Sequence, residues 1–459
     1  MSLGRTVQHA NRLLGQSAIM VMIRSPLVLH ILGQLLFCSG IVWAFPGTRT
    51  ESHATADPRL DARPFTVVWN MPTAKCQEKY GVHLDLSAFD IIANHHEKFQ
   101  GQNMTVFYYN KLGLYPYISK EGDQVNGGVP QQSNLQAHLS KAKAEIEDLL
   151  KPGFHGLAVI DWEKWHPLWV RNFGAKKKYK LLSEQLVMEE HPDISRREVL
   201  FLACREFERS AKQFMSGTLQ LGADTRPAGL WGFYGFPACY NYHKGQHSLN
   251  YTGHCHPKAM EWNSRLDWLW NHSNALYPSI YLPLQLAGSP NSTLMVRYRI
   301  LEALRVASYY SISPKAKPVL PYARVAFVHT LRFLNKIDLD HTLGEAAALG
   351  AAGVVLWGEL RFAKSKHQCQ LLKNYVDQVL GKFVQNLKHA AWHCSDRLCS
   401  GKGRCTRRDP LSGHTLHQPD AHPSSVSGRL PANSTQLGLA FRCVCYRGWT
   451  GEQCQERML

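Results

Sequence analysis

From Pro64 onward, short apolar runs with no helical period alternate with longer segments whose apolar positions recur every three to four residues. The runs Phe65-Thr-Val-Val-Trp-Asn70, Asp90-Ile-Ile-Ala-Asn94, Thr105-Val-Phe-Tyr-Tyr109, Leu157 to Glu163, Leu230 to Phe236, Ser279-Ile-Tyr-Leu282, Val319 to Phe327 and Val354-Val-Leu-Trp357 read as strands. Segments near residues 134–151, 179–190, 196–221, 258–272, 293–310, 338–350 and 367–387 read as helices. Apolar runs covered on both faces suit parallel strands, and their alternation with helices predicts an α/β fold, a distorted (β/α) barrel of the TIM type. The competing fold is an open doubly wound sheet, but no Gly-rich phosphate loop and no dinucleotide fingerprint accompanies the pattern. In a barrel, functional residues gather at the C-terminal ends of the strands. Asp161, Glu163, Tyr234, Tyr281 and Trp357 fall there.

One of these strands carries acid chemistry at its tip. The stretch Gly156-Leu-Ala-Val-Ile-Asp161-Trp-Glu163-Lys-Trp165 is an apolar run closed by two carboxylates two residues apart. Residues at i and i+2 of a strand leave the same face, so Asp161 and Glu163 are expected side by side. Two carboxylates that close do not both ionise freely, and one keeps a proton for use as a general acid, as glycoside cleavage needs. The bland alternative is a strand-end Asp capping the next helix beside a solvated Glu163. Trp162, Trp165 and Trp169 offer flat faces of the sort that stack on sugar rings, although a tryptophan is more often core.

The N-terminus breaks the pattern. Pro26 to Ala44 is apolar, follows Arg24 and closes on a small residue before Phe45-Pro46, so residues 1–44 read as a cleaved signal peptide, with Met22 as an alternative start. Residues 45–62 read as a flexible link, residues 63–390 as the catalytic barrel and residues 391–459 as a separate small module. No second apolar stretch of spanning length follows, and the chain ends Gln455-Glu-Arg-Met-Leu459 without a hydrophobic tail, so a protein with no stable membrane span is expected.

The chain has 12 cysteines, with Cys38 inside the leader, which fits an oxidising compartment. So do the Asn-x-Ser/Thr acceptors at Asn103, Asn250, Asn271, Asn291 and Asn433. Removing Cys38 leaves an odd number, and Cys204 is the candidate free thiol. From Cys394 the spacing is Cys-x4-Cys-x5-Cys, then an insertion at about residues 409–440, then Cys443-x-Cys445-x8-Cys454, the closing half of an epidermal-growth-factor-like module. A formal net charge of +17 would suggest nucleic acid in a nuclear protein; in a secretory one it points to an acidic polysaccharide or cell-surface glycans. The run Lys176-Lys-Lys-Tyr-Lys180 reads as a solvated helix start. No metal-ligand spacing stands out, His254 and His256 read as surface residues, and no cofactor is implied.

Taken together, the residues resemble the animal hyaluronidases. The resemblance rests on Val68-Trp-Asn70, Gly101-Gln-Asn-Met-Thr105, Leu112-Gly-Leu-Tyr-Pro-Tyr117, Asn126-Gly-Gly-Val-Pro130, Ala158-Val-Ile-Asp-Trp-Glu163, Gly229-Leu-Trp-Gly-Phe-Tyr-Gly-Phe-Pro237, Pro278-Ser-Ile-Tyr281 and Gly350-Ala-Ala-Gly-Val-Val-Leu-Trp-Gly358. It implies endo-cleavage of β-1,4 bonds in hyaluronan, with some activity on chondroitin, by a substrate-assisted retaining mechanism. Glu163 matches the proton donor and Asp161 the partner that stabilises the substrate's acetamido group. Tyr234, Tyr281 and Trp357 match residues that hold that group, and Asn70 and Tyr322 match further cleft positions. The implied disulfides are Cys76 to Cys369, Cys239 to Cys255, Cys394 to Cys405, Cys399 to Cys443 and Cys445 to Cys454. A secreted or lysosomal enzyme is expected, and an adhesion protein that keeps the cleft with little turnover is the alternative. After Glu163 many members carry an acidic or small residue and then Trp-Arg, where this chain has Lys164 and His166. The strand spacing favours the same mechanism: one strand approaches the bond from one side only, whereas a standard glycosidase flanks it with two carboxylates.

Overall fold

A computed structural model describes Leu60 and residues 63–92, 94, 98–242, 250–310, 316–417 and 434–458. The leader expected at residues 1–44, with Met22 and Cys38, lies outside the described residues, as do most of the link, residues 418–433 of the insertion, and Asn433. Ala54–Leu459 forms one compact unit.

That unit is a parallel barrel wound in chain order. β1 (Thr66–Asn70), β2 (Ile91–Ile92) and β3 (Met104–Tyr108) come first, then the small hairpin β4 (Tyr117–Ile118) and β5 (Gln124–Val125). β6 (Leu157–Asp161), β7 (Leu230–Phe233), β8 (Tyr322–Ala323) and β9 (Gly353–Trp357) complete the staves. The parallel ladders are β2-β1-β9-β8 and β3-β6-β7. Residues 276–279 fill the place between β7 and β8 through the single bridges Tyr234–Tyr277, Leu276–Val319 and Ser279–Tyr322. Between β2 and β3 no ladder forms among the described residues, which is one way the barrel is distorted.

Several strands are shorter than their apolar runs predict. Val319 to Phe327 pairs as a ladder only over Tyr322–Ala323, Ser279 to Leu282 makes one bridge, and the run ending at Glu163 stops pairing at Asp161. Apolarity reports burial, which continues past the last ladder hydrogen bond. The helices move the other way: the segment expected to end at 387 runs as Lys366–Tyr375, a wide π turn Val376–Leu380, and Gly381–Cys399. The last of these passes unbroken through residues 390 and 391 and carries Cys394 and Cys399. The segment expected over 258–272 divides into Pro257–Ser264 and Asp267–His272.

Side-chain alternation sorts each strand between lumen and helices. Val68, Met104, Val106, Leu157, Val159, Leu320 and Val355 pack into the lumen, while Val67, Trp69, Phe107, Ala158, Ile160 and Leu356 pack outward against helices. Gly232 continues the inward row of β7, and a Cβ there would sit 2.3 Å from the Ala275 carbonyl oxygen, so only glycine lets residues 275–277 close in.

Five disulfides staple the unit: Cys76–Cys369, Cys239–Cys255, Cys394–Cys405, Cys399–Cys443 and Cys445–Cys454. Cys204, half-buried on the helix Arg196–Thr225, is free. The Cys-rich segment, with the antiparallel pair β10 (Gly403–Arg407) and β11 (Phe441–Cys445), packs below the barrel. Thr406 Oγ1 donates to the Leu349 carbonyl, four residues before β9 begins, and Arg404 donates to the Leu60 carbonyl, ahead of β1. Buried Glu345 lies between Arg407 and Arg297, at 2.7 and 2.6 Å, and ties the segment to the barrel's helices. A buried carboxylate paired on both sides is costly to unpair, so the joint is stiff.

Candidate active site

Along each stave the inward row is apolar until its last rung, where it turns polar. On β1 the row runs Val68, Asn70; on β3 Met104, Val106, Tyr108; on β6 Leu157, Val159, Asp161. Tyr234 continues the row of β7, Tyr322 and then Arg324 that of β8, and Trp357 ends β9. The parallel registers align these ends, with Asn70 opposite Trp357 and Tyr108 opposite Asp161. One layer of polar and aromatic groups therefore closes the C-terminal mouth of the barrel.

The layer is tightly connected. Trp357 Nε1 donates to the Tyr108 hydroxyl at 3.2 Å. The Tyr234 and Tyr322 rings meet edge to face at 4.9 Å, and Tyr281 stacks on Trp357 at 6.2 Å with 20° between planes. The Arg324 guanidinium lies 5.6 Å from both the Tyr281 and Trp357 rings and pairs with Glu359 at 2.7 Å. Tyr322 and Asn70 are buried, so they form the floor of the mouth rather than an open wall.

Several polar atoms on this floor have no partner. Both amide atoms of Asn70, Oδ1 of Asp161 and the hydroxyl of Tyr322 are buried without a hydrogen bond. Buried polar groups are nearly always satisfied, and a set of orphans at one mouth marks a place built for a polar ligand.

Asp161 and Glu163 occupy unlike environments. Glu163 lies two residues beyond Asp161, past the strand end, and is exposed, whereas Asp161 is mostly buried. Burial, helped by the charge of Glu163, pushes the Asp161 carboxyl up to about 7. The sequence pattern calls for one carboxyl of the pair to keep its proton, and burial favours Asp161 for it. Tyr234 is pushed up to about 12, first by burial and then by the Glu163 charge, so its phenol stays neutral.

The loop after Glu163 is held from below. Lys176 Nζ donates to the Glu163 carbonyl and lies 3.4 Å from His166 Nε2. Burial lowers Lys176 to about 8 against the opposing pull of Glu163, and burial with the Arg171 and Lys176 charges keeps His166 well below the usual histidine range. The neutral imidazole therefore accepts from the ammonium. Asn172 completes the clasp, accepting from the His166 N–H at 2.8 Å and donating to the His166 carbonyl at 2.8 Å.

Two features differ from the sequence expectations. Lys176 is half-buried at the site rather than part of a solvated helix start, because Gly174–Lys176 forms a 3-10 turn ahead of the helix Lys177–Glu190 and directs its last residue back toward the strand end. Trp162 and Trp165 are core residues, packed on Tyr115 at 4.7 and 5.2 Å, because the alternation that turns Asp161 inward turns Trp162 outward. Lys164 points away from Glu163, with its ammonium 4.3 Å above the Tyr109 ring. Tyr108, Arg324 and Lys176 join the site although no motif singled them out. The first two were within reach, since each continues a strand's inward row at its C-terminal end.

The Hyaluronidase family model matches residues 54–458, essentially the whole described unit. The chain belongs to the hyaluronidase family. It is 45% identical over 407 residues to hyaluronidase-1 of Rattus norvegicus, covering 86% of this chain and 90% of the relative. It is 44% identical over 414 residues to hyaluronidase-1 of Homo sapiens, covering 88% and 94%. With hyaluronidase-3 of Sus scrofa it shares 45% over 398 residues, 87% of this chain and 92% of that one. The crystal structure of bee venom hyaluronidase in complex with a hyaluronic acid tetramer is similar at a TM-score of 0.61 and 32% identity, covering 70% of this chain and 98% of that one. The protein is accordingly a glycoside hydrolase of the hyaluronidase type with the barrel fold of its relatives. Among the described residues no helix is long and apolar enough to cross a membrane.

Proposed function

We propose that this hyaluronidase cleaves internal β-1,4 bonds of hyaluronan by substrate-assisted retention, with Glu163 as acid and base and Asp161 as partner of the acetamido group. Chondroitin, built on the same alternation of uronate and N-acetylhexosamine, is the second proposed substrate. The supporting observation is the set of orphaned polar atoms beside Asp161 at the barrel mouth. A buried carboxylate oxygen without a donor suits an amide N–H, and the tetramer complex of the bee venom enzyme supports a hyaluronan chain as its source.

The chemistry follows from one shared proton. Burial favours the proton on Asp161. A substrate amide that donates to Asp161 favours its charged form, and Glu163 takes the role of the acid. Glu163 gives a proton to the glycosidic oxygen as the C1–O bond breaks, while the acetamido carbonyl oxygen bonds to C1 and closes an oxazolinium ring. Asp161, now charged, balances the positive ring nitrogen. Water then adds to C1 as Glu163 takes its proton, the ring opens, and the β configuration is restored. Tyr234, Tyr281 and Trp357 wall in the acetamido group, with Asn70 and Tyr322 beneath.

Reducing-end release from hyaluronan across pH 3.5–7.5, a range spanning carboxyl titration, tests the reading. Losing the pair's proton disables the acid, so kcat/KM falls as pH rises through about 7, approaching tenfold per pH unit above it. A folded protein with no release at any pH would replace the enzyme with a binding protein that keeps the cleft.

Lys176 is a positioning residue in this scheme. Lys176→Met is expected to lower kcat about tenfold with KM little changed, since a small displacement of an acid costs rate rather than affinity. Lys176→Arg should recover most of it. Equal kcat for all three proteins would show that the clasp is only structural.

We place the protein in the secretory pathway, secreted or lysosomal, with residues 1–44 as its signal and residues 391–459 as an epidermal-growth-factor-like module. Five disulfides support an oxidising compartment. Exposed Asn250 and Asn271 and half-buried Asn103 and Asn291 are the described acceptors for N-linked glycans.

A further inference from the structure

A second charged concavity lies away from the mouth. A cleft of about 260 Å³ in the Cys-rich segment is lined by Arg397, Leu398, Arg408, Arg442, Glu452 and Gln453, together with Gly438. Its three guanidiniums come from three elements. Arg397 is on the helix Gly381–Cys399, Arg408 follows β10, and Arg442 is on β11 opposite Thr406. Arg408 Nε donates to the Gly438 carbonyl at 2.6 Å, and its other two guanidinium nitrogens make no further hydrogen bond among the described residues. The side chains of Arg397 and Arg442 make no hydrogen bond or ion pair among the described residues, and all three arginines are exposed. Glu452 supplies one negative charge against three positive ones.

Three like charges in one small cleft repel one another, and solvent only partly relieves this. The cost persists because covalent links hold the elements together. Cys394–Cys405 and Cys399–Cys443 join the helix to both strands, Cys445–Cys454 closes the turn bearing Glu452 and Gln453, and Ser400 Oγ donates to the Gln453 carbonyl at 2.9 Å. The disulfides hold in place the backbones that bear these guanidinium forks, which suit planar or tetrahedral oxyanions, so side-chain ordering rather than backbone ordering opposes binding.

We propose that this cleft is a second site for an acidic polysaccharide, gripping its carboxylate or sulfate groups at the opposite end of the barrel from the catalytic mouth. The opposite placement follows from the contacts of Thr406 and Arg404 with the residues ahead of β9 and β1, whereas the mouth lies at the C-terminal ends of the same strands. The site is independent of the assignment of Glu163 and Asp161. Its occupant is either a distant stretch of a long hyaluronan chain or a separate sulfated glycan. In the first case it acts by tethering, raising the effective concentration of polymer at the mouth.

The test compares full-length parent with Arg397→Ser/Arg442→Ser and Arg397→Lys/Arg442→Lys. The probes are a heparin-type sulfated oligosaccharide, polymeric hyaluronan and a short hyaluronan oligosaccharide. The serine variant is expected to bind the sulfated probe about tenfold more weakly, with the lysine variant intermediate and turnover of the short oligosaccharide unchanged. If KM for polymeric hyaluronan also rises, the occupant is the distant part of the substrate; if only binding of the sulfated probe falls, it is a separate glycan. Unchanged affinity for both polyanions overturns the proposal. Hydrogen exchange on the parent needs no variant: slowing at residues 397–408 and 438–453 on adding the sulfated probe supports the site, and its absence there overturns it.

Discussion

Glu163→Gln is expected to lower kcat on hyaluronan by about a thousandfold, within the range that general acid–base groups contribute. Glutamine keeps the size and the exposed position past the end of β6, and neither Lys176, which holds the backbone carbonyl, nor Asn172, which holds His166, loses a partner. Folding and binding should therefore survive, with KM within about threefold of the parent while kcat collapses. The comparison is made at the parent's optimum and again a pH unit above it, because the residual rate of the variant should no longer fall through about 7 as the parent's does. A variant retaining a tenth or more of parental kcat would move the acid to another group.

Asp161→Asn is expected to cost nearly as much activity and to make the protein more stable at neutral pH. The catalytic loss, about a hundredfold to a thousandfold, is that of removing charge stabilisation from a water-poor site. The stability gain follows from linkage. The folded-state carboxyl of Asp161 lies at about 7, raised from 3.8, so the folded chain holds a proton that the unfolded chain gives up. Stability contributed by this group is present below about 4 and lost as pH rises toward 7. The interval corresponds to on the order of 4 kcal/mol once Asp161 is fully ionised. Asparagine keeps the shape and never ionises, so its melting temperature should exceed the parent's by about 5 °C at pH 7.5 and match it near pH 3.5. Equal melting temperatures at both pH values would mean that Asp161 is solvated and that the single shared proton is misplaced.

Such a trade of stability for function is expected where local rules are broken on purpose, and the sequence makes the break visible at Asp161. The row Leu157, Val159, Asp161 has strand period throughout and changes from apolar to acidic at its final member, so both the stave and its tip can be read from one stretch. The same row logic reaches Tyr234 and Trp357, and it extends to Tyr108 and Arg324 at the ends of their own strands. Lys176 was out of reach. Its role depends on a 3-10 turn that carries it back across 13 residues of chain to Glu163, and a run of lysines ahead of a helix gives no sign of that path. Trp162 and Trp165 misled for a related reason: aromatic residues beside two carboxylates look like sugar platforms, yet strand alternation already required Trp162 to face the helices. A change in composition marks a boundary near residue 391, and nothing in cysteine spacing reveals that the helix Gly381–Cys399 crosses it.

The measurement that tests the proposed mechanism most directly is the anomeric configuration of the newly formed reducing end, followed by proton NMR in the first minutes of hyaluronan cleavage. In that mechanism Asp161, at the tip of one stave, and Glu163, just past it, act from one side of the bond and the acetamido oxygen supplies the nucleophile, so the β anomer is expected first, with the α anomer appearing only by mutarotation. Initial release of the α anomer would mean single displacement by water, which needs a base on the far face of the sugar, and would contradict the roles assigned to both carboxylates.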